Sequence, residues 1–309
     1  MQTSYLQKNS EKKLKKTHLA NLAGIEFFVI LTYRLDSNIL LCYNEGNKSF
    51  AYKERDIIMS EQVKIRVATY NVGDYSGRDD ATAGSEVSKK LFTKVFTDIG
   101  ADLWALQEDV DLFNKETGET AFDAVYSKVL PNYKKFFTWK YNGKAFLSRF
   151  ELQDVRMVKY KHDEYQHPWY LLGTITVEGK EITIISLHLD WAHKHKRSKQ
   201  LKQLLDFARM QEYCIVMGDF NPEDYIDFKR LSNTLYYKEE FGRFESLGFT
   251  SANTGEFGTF DTIRADGFVR PCPFDNIIVS PNIKIVAAGC LAEPWMNDHA
   301  PVWADLVIE

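Results

Sequence analysis

Residues 214–223 read CIVMGDFNPE, an apolar run that stops abruptly at a carboxylate and a carboxamide. Cys214 to Met217 is short, β-prone and apolar without alternation, the pattern of a strand covered on both faces, and Gly218 allows the backbone to turn directly after it. Asp219 and Asn221 are thereby placed at a strand end. Alternate side chains just past a strand can project the same way, so this turn offers two polar groups to one pocket. A lone GDFN would be read as an ordinary Gly/Asp/Asn turn. Here the arrangement recurs along the chain.

Upstream, Val63 to Tyr70 (VKIRVATY) alternates apolar and polar residues and ends at Asn71, a strand signal. A polar loop follows. Val87, Leu91, Val95 and Ile99 then recur at fourth positions, one face of a helix opened near Ser85 and closed by Gly100. Asp102 to Leu106 (DLWAL) is the next buried strand and runs into Gln107 and Glu108. Strand, helix, strand predicts a crossover with parallel strands, so Asn71 and Glu108 share one sheet edge. Thr120 to Leu130 reads as helix. Lys134 to Trp139 with Gly143 to Phe150 reads as a hairpin around Asn142 and Gly143, and Trp169 to Val177 with Glu181 to Leu187 as a second around Glu178 and Gly179. The last of these strands ends at His188. Lys194 to Ala208 is a basic, then amphipathic, helix leading into CIVMGDFN. Helices are expected near Asp224 to Leu235 and Glu239 to Leu247, then a Gly/Thr/Phe loop (Gly255 to Phe260). Strands at Phe274 to Ser280, holding Asp275, at Ile283 to Gly289 and at Ala300 to Ile308 follow, the last preceded by Asn297, Asp298 and His299. Alternating strands and helices with hairpins between them imply a mixed α/β domain.

The chain has 309 residues, 44% of them hydrophobic and 14% aromatic, enough to bury a substantial core. Its formal charge is −4; residues 1–58 hold 9 Lys/Arg and 6 Asp/Glu, leaving 30 basic and 37 acidic side chains downstream. This composition excludes a basic nucleic-acid coat. Four scattered cysteines (Cys42, Cys214, Cys272, Cys290) with no CxxC suggest neither a zinc site nor a disulfide framework, and a reducing, cytoplasmic location is expected, with secretion left open. Lys12 to Lys16 is basic and Gly24 to Leu31 apolar, but Glu26 interrupts that run, no A-x-A site follows and the run is too short to span a bilayer. Residues 1–58 are read as an N-terminal extension and 59–309 as the catalytic domain. Lys53, Glu54 and Arg55 can be encoded by a purine-rich, ribosome-binding-like sequence three codons before Met59, which makes Met59 a candidate native start.

Five strand termini thus present Asn71, Glu108, His188, the pair Asp219 and Asn221, and the pair Asp298 and His299. Each has an ordinary explanation as a turn or cap residue or a satisfied core histidine. Their number and order favour a common site. On ATYNVG (68–73), LQE (106–108), FLSRF (146–150), SLHLD (186–190), MGDFN (217–221), FDNIIVS (274–280) and NDHAPV (297–302), the chain resembles the endonuclease/exonuclease/phosphatase (DNase I-like) superfamily. The blocks span residues 63–309 and none of residues 1–58. The resemblance implies an α/β fold of α+β type, a four-layer sandwich of two mixed β-sheets flanked by helices, with the active site at one end.

It also implies a Mg²⁺-dependent phosphodiester hydrolase, with Mn²⁺ as the alternative ion. Nuclease action leads; a phosphatase or phosphodiesterase of small or lipid phosphoesters and an inactive phosphate-binding relative are the alternatives. Phosphodiester hydrolysis needs a cation to neutralise charge and a base to activate water, and Mg²⁺ suits a site of few hard oxygen ligands. By resemblance Glu108 is the main metal ligand, with Asn71 and Asp298 nearby. Asp219 orients or deprotonates water, and Asn221 holds water or a phosphate oxygen. His299 contacts the phosphate or acts as acid/base, oriented by Asp275, and His188 donates to a phosphate oxygen. Whether Asp219 or His299 is the base stays open. The chain departs from the family in two places: no Arg lies between Arg156 and His188, where His162, Asp163, Glu164, Tyr165, Gln166 and His167 stand, and Asn297 precedes Asp298. The run His193 to Lys199 (HKHKRSK) either steers a phosphate backbone or is a solvated helix start. Trp169, Tyr170 and Trp191 are read as core or pocket wall rather than membrane anchors. The expected partners are nucleic acid or a small phosphoester, with no membrane span and a monomeric chain.

Overall fold

Strand β12, Cys214–Asp219, is buried at every position, as its unbroken apolar sequence requires. The computed structural model describes residues 16–17, 30–31, 39–43, 49–53, 63–73, 85–109, 123–136, 143–161, 167–222, 241–254, 258–263, 269–291 and 297–309. The chain divides into two units, Met1–Glu61 and Gln62–Glu309. In the first, β1 (Lys16–Thr17) pairs antiparallel with β2 (Ile30–Leu31), and β3 (Ile39–Tyr43) with β4 (Ser49–Lys53).

The second unit runs β5 (Val63–Asn71), α1 (Glu86–Ile99), β6 (Leu103–Gln107), α2 (Asp123–Val129), β7 (Asn132–Phe136), β8 (Lys144–Ser148), β9 (Gln153–Lys159), β10 (Trp169–Val177), β11 (Lys180–His188), α3 (Lys194–Ala208) and β12. It continues through β13 (Thr250–Ser251), β14 (Phe260–Ile263), β15 (Val269–Cys272), β16 (Asp275–Val279), β17 (Ile283–Cys290) and β18 (Val302–Ile308). One six-stranded sheet has the order β13-β16-β12-β11-β10-β9, and the other β17-β18-β5-β6-β8-β7. Both are mixed: β5 with β6 and β11 with β12 are parallel, while the remaining pairs in each sheet are antiparallel.

Strand alternation builds the layers. Ile65, Val67, Leu103, Ala105 and Phe146 from one sheet meet Leu171, Ile184, Ile215, Met217 and Ile277 from the other in a central core. The opposite faces carry Ala68, Tyr70, Trp104 and Leu147 against Phe92, Val95, Phe96 and Tyr126 of α1 and α2. They also carry Leu172, Ile185 and Val216 against Leu201 and Leu204 of α3. The result is the expected four-layer sandwich.

The crossover β5–α1–β6 is parallel, as the sequence pattern requires, and α1 is capped by Ser85, whose Oγ accepts from Ser88 N, and by Gly100 at φ 59°. Its buried face keeps the expected Val95 and Ile99 but is shifted at the start of the helix. Val87 is 57% exposed, and the packed residues are Ser88, Phe92, Val95, Phe96 and Ile99, because the two phenylalanines turn the helix to bury the larger area. The hairpin β10–β11 turns at Glu178 and Gly179, both at positive φ. Strands β9, β14 and β15 were not expected. Trp191 is 44% exposed rather than in a core, since it lies on the turn leading out from β11 to α3. The expected helix at 224–235, the turn residue Asn142 and residues 255–257 of the loop lie outside the described residues. Among the described residues no helix is long and apolar enough to cross a membrane.

Gly218 fixes where β12 ends. It sits at φ +146°, and a Cβ there would lie 2.1 Å from the Leu187 carbonyl oxygen, inside the β11–β12 ladder. We expect Gly218→Ala to cost at least about 3 kcal/mol in urea unfolding. Gly179→Ala, at φ +78° with no atom within 4 Å of the new Cβ, should cost only about 1 kcal/mol.

Candidate active site

The central core changes character at one end. Continuing the inward-facing rows of β5, β6, β11 and β12 brings Asn71, Gln107, His188 and Asp219 into the space between the sheets. β8 and β16 run the other way, so their first residues reach the same edge: Lys144 pairs with Gln107 and Asp275 with Asp219. All six are buried. Beneath them Gln107 crosses between the sheets, its Nε2 donating to Ser186 Oγ at 3.0 Å while Thr69 Oγ1 lies 3.3 Å from its Oε1.

Asp219 is the hub. Its Oδ2 accepts from Asn71 Nδ2 at 3.2 Å and lies 3.4 Å from His188 Nε2 and 3.7 Å from His299 Nε2. Asn71 Nδ2 also reaches Glu108 Oε1 at 3.2 Å. His299 Nδ1 is 2.8 Å from Asp275 Oδ2, which orients the ring and leaves Nε2 to face Asp219. Asn221 turns back through φ 43°, its N–H donating to Asp219 Oδ1 and its Nδ2 to the Leu189 carbonyl. Glu108 sits at φ 53°, a conformation costing about 1–3 kcal/mol for such a residue. The next residue anchors that turn: Asp109 accepts from Tyr126 OH at 2.9 Å and lies 3.3 Å from Lys135 Nζ.

The segment 297–299 is tied down by Asn297, the residue that departs from the family pattern. Its Nδ2 donates to the Asn71 carbonyl at 2.9 Å and its Oδ1 accepts the His299 N–H at 2.9 Å. Asp298 is exposed, at the rim. Thr259 Oγ1 accepts the N–H groups of Phe274 and Asp275, fixing the start of β16.

Two members of this site were not singled out in the sequence. His167 stacks on His188 with ring centroids 3.6 Å apart and 17° between planes, and its carbonyl accepts from Gln200 of α3. Lys144 is 1% exposed. A Lys at the head of an otherwise apolar strand, in phase with Phe146, was the available signal. The residues 162–166 lie outside the described residues. The basic run at 193–199 also needs correcting: Arg197 is fully buried, its Nη1 donating to the Asp190 carbonyl at 2.9 Å, because the helix turns that position inward.

Burial sets the protonation states. It pushes His188 and His167 well below the usual histidine value, with Lys144 adding to both. Burial lowers Lys144 to about 8, against the pull of Glu108 and Asp219. For His299 burial also works against the charge, but the Asp275 carboxylate and its hydrogen bond, with Asp219 and Asp298, outweigh it and raise the value. Burial raises Asp219, with the His299 charge opposing.

The donor set fits a hard divalent cation. One ligand atom each from Asp219, Asp275 and His299 lies within 4.8 Å of the others. Asp275 Oδ1 and His188 Nδ1 are buried without a hydrogen bond among the described residues, and Glu108 lies beside this group.

A search of curated protein sequences finds no match. Solved structures match the fold. A protein of this family from Bacteroides thetaiotaomicron superposes with TM-score 0.58 at 16% identity, covering 81% of this chain and 99% of its own. A mannosyl-6-phosphatase of the same organism gives 0.57 at 18%, covering 79% and 100%. D. rerio TDP2, complexed with a single-strand DNA product, gives 0.56 at 15%, covering 79% and 98%. The model of the Endonuclease/Exonuclease/phosphatase family matches residues 68–296, and with the sandwich and its polar end in place the chain belongs to that family.

Proposed function

We propose that this chain is a divalent-metal-dependent phosphodiester hydrolase whose leading substrate is a nucleic-acid strand. The observation that supports it most directly is the convergence of Asn71, His188 and His299 on Asp219 Oδ2, with His299 held from behind by Asp275. Members of the family hydrolyse phosphoester bonds. Mg²⁺, or Mn²⁺ in its place, would be held by Glu108 with Asn71 and Asp298, and Asp219, Asp275 and His299 form an adjoining donor group. When bound, such an ion neutralises phosphate charge and polarises water.

The chain's own residues supply the rest. Asp219, which burial makes a stronger base than an exposed carboxylate, holds a proton more tightly and so is matched to take the proton of the attacking water. His299, charged through Asp275, donates a hydrogen bond to a phosphoryl oxygen. Neutral His188 donates through one nitrogen, and Asn221 positions water against Asp219. TDP2 was captured with a DNA product, which favours the nucleic-acid reading. One observation favours a small phosphoester instead: Arg197 is withdrawn from the surface run beside the site, in a domain of net negative charge.

Purified protein should nick supercoiled plasmid with Mg²⁺ and not with chelator, and Asp219→Ala should lower the rate about 10²- to 10⁴-fold. Absence of nicking alongside hydrolysis of a small phosphoester would move the substrate to the second reading. Glu108→Gln should weaken Mg²⁺ binding in a calorimetric titration, about 10-fold or more; unchanged affinity would remove Glu108 as a ligand.

The pH profile carries its own sign. A raised Asp219 is protonated and idle at low pH, so kcat/KM should climb with pH through a limb lying above the ordinary carboxylate value of about 4. A limb at that ordinary value would remove Asp219 as the base.

A further inference from the structure

Lys144 opens β8 with its side chain in the inward row of Phe146, level with Gln107 and one residue from the edge where Glu108 turns. It is 1% exposed, and its charge is felt by Glu108 and Asp219 across the pocket. Holding a cation away from water is costly, and burial outweighs the pull of Glu108 and Asp219 on it. Among the described residues, buried Arg197 donates to the Asp190 carbonyl, and half-buried Lys135 lies 3.3 Å from Asp109. The groups within electrostatic reach of Lys144 are Glu108, Asp219, His167 and His188, all members of the candidate site. Glu108 is already met by Asn71, and Asp219 by Asn71 and the two histidines.

We propose that Lys144 is a further catalytic residue, whose ammonium donates to a non-bridging oxygen of the substrate phosphoryl group from the His167–His188 side of the site. This rests on the phosphoester-hydrolase reading above. The ammonium keeps its three protons throughout. The bond from water oxygen to phosphorus forms as the bond from phosphorus to the leaving oxygen breaks, water's proton passes to the base, and the leaving oxygen takes a proton from solvent or His299. Lys144 adds a hydrogen bond and a positive charge where the phosphoryl oxygens gain negative charge. The stacked imidazoles beside it, both neutral, keep that wall free of a competing anion.

The test compares wild type with Lys144→Met, of similar length and uncharged, and Lys144→Arg. Hydrolysis of bis(p-nitrophenyl) phosphate and calorimetric binding of inorganic phosphate are both measured with Mg²⁺ present. Lys144→Met should lower kcat/KM ~100- to 1,000-fold and weaken phosphate binding at least about tenfold. It should leave the melting temperature equal or higher, since the charge is held against a desolvation cost that the Met side chain does not carry. Lys144→Arg should recover part of both losses. Unchanged phosphate affinity in a folded Lys144→Met protein overturns the proposal, as does kcat/KM within threefold of wild type. Should the Met variant not fold, Lys144→Gln carries the same comparison. If wild type hydrolyses no phosphoester, the functional reading fails, while the phosphate titration still decides for or against Lys144.

Discussion

Burying acidic side chains at the end of an apolar sandwich is the constraint on which the rest of this structure turns. Between the sheets the inward rows are apolar through the centre, pass through Ala105, Thr69 and Ser186, and end at Asn71, Gln107, Lys144, His188, Asp219 and Asp275. A carboxylate there keeps its charge only if hydrogen bonds and opposite charges replace the water it has lost. Asp219 gathers Asn71, His188, His299 and the Asn221 N–H around it, and Asp275 is matched by His299 and fixed through Thr259. Each donor comes from a different strand or turn. The site is therefore assembled only when both sheets are in register.

That dependence explains the backbone around the site. Glu108 and Asn221 adopt positive φ because the chain must reverse at once where the strands stop, and turning the side chain back over the strand end is what brings it to the hub. Gly218 is the one residue that permits β12 to approach the Leu187 carbonyl so closely. Asn297 performs a similar service at the last turn, joining the Asn71 carbonyl to the His299 N–H. These tethers place polar groups to within hydrogen-bonding distance without relying on loops of their own, which is how a sandwich holds a precise site at its open end.

Much of the fold was legible in the sequence because periodicity is a local property. The unbroken run of Cys214 to Met217, the alternation of Val63 to Tyr70 and the helical repeat of Lys194 to Ala208 each survive intact in β12, β5 and α3. Helix α1 shows the limit. Spacing picked the row Val87, Leu91, Val95 and Ile99, of which Val95 and Ile99 are buried; the helix buries Phe92 and Phe96 beside them in place of Val87, and packing against Trp104 and Tyr126 sets that rotation. Strand β9 was missed for a related reason: none of its seven residues is fully buried, so its sequence carries no strong apolar signal, and pairing with β10 makes it a strand.

The sequence by itself determined the strands and the residue types at their ends, because a strand's terminus and its polar punctuation lie next to each other in the chain, and through the resemblance those blocks carry it implied the family and its sandwich. Only the tertiary structure decided which polar groups meet. Lys144, His167 and the buried Arg197 illustrate this. A Lys at a strand start, a His in a polar stretch and an Arg in a basic run look solvent-facing in one dimension. Strand parity, ring stacking on His188 and the turn of α3 carry all three inside. Side chains more than twenty residues apart share one low-dielectric pocket, and their charges act on one another there, a coupling that no local pattern encodes.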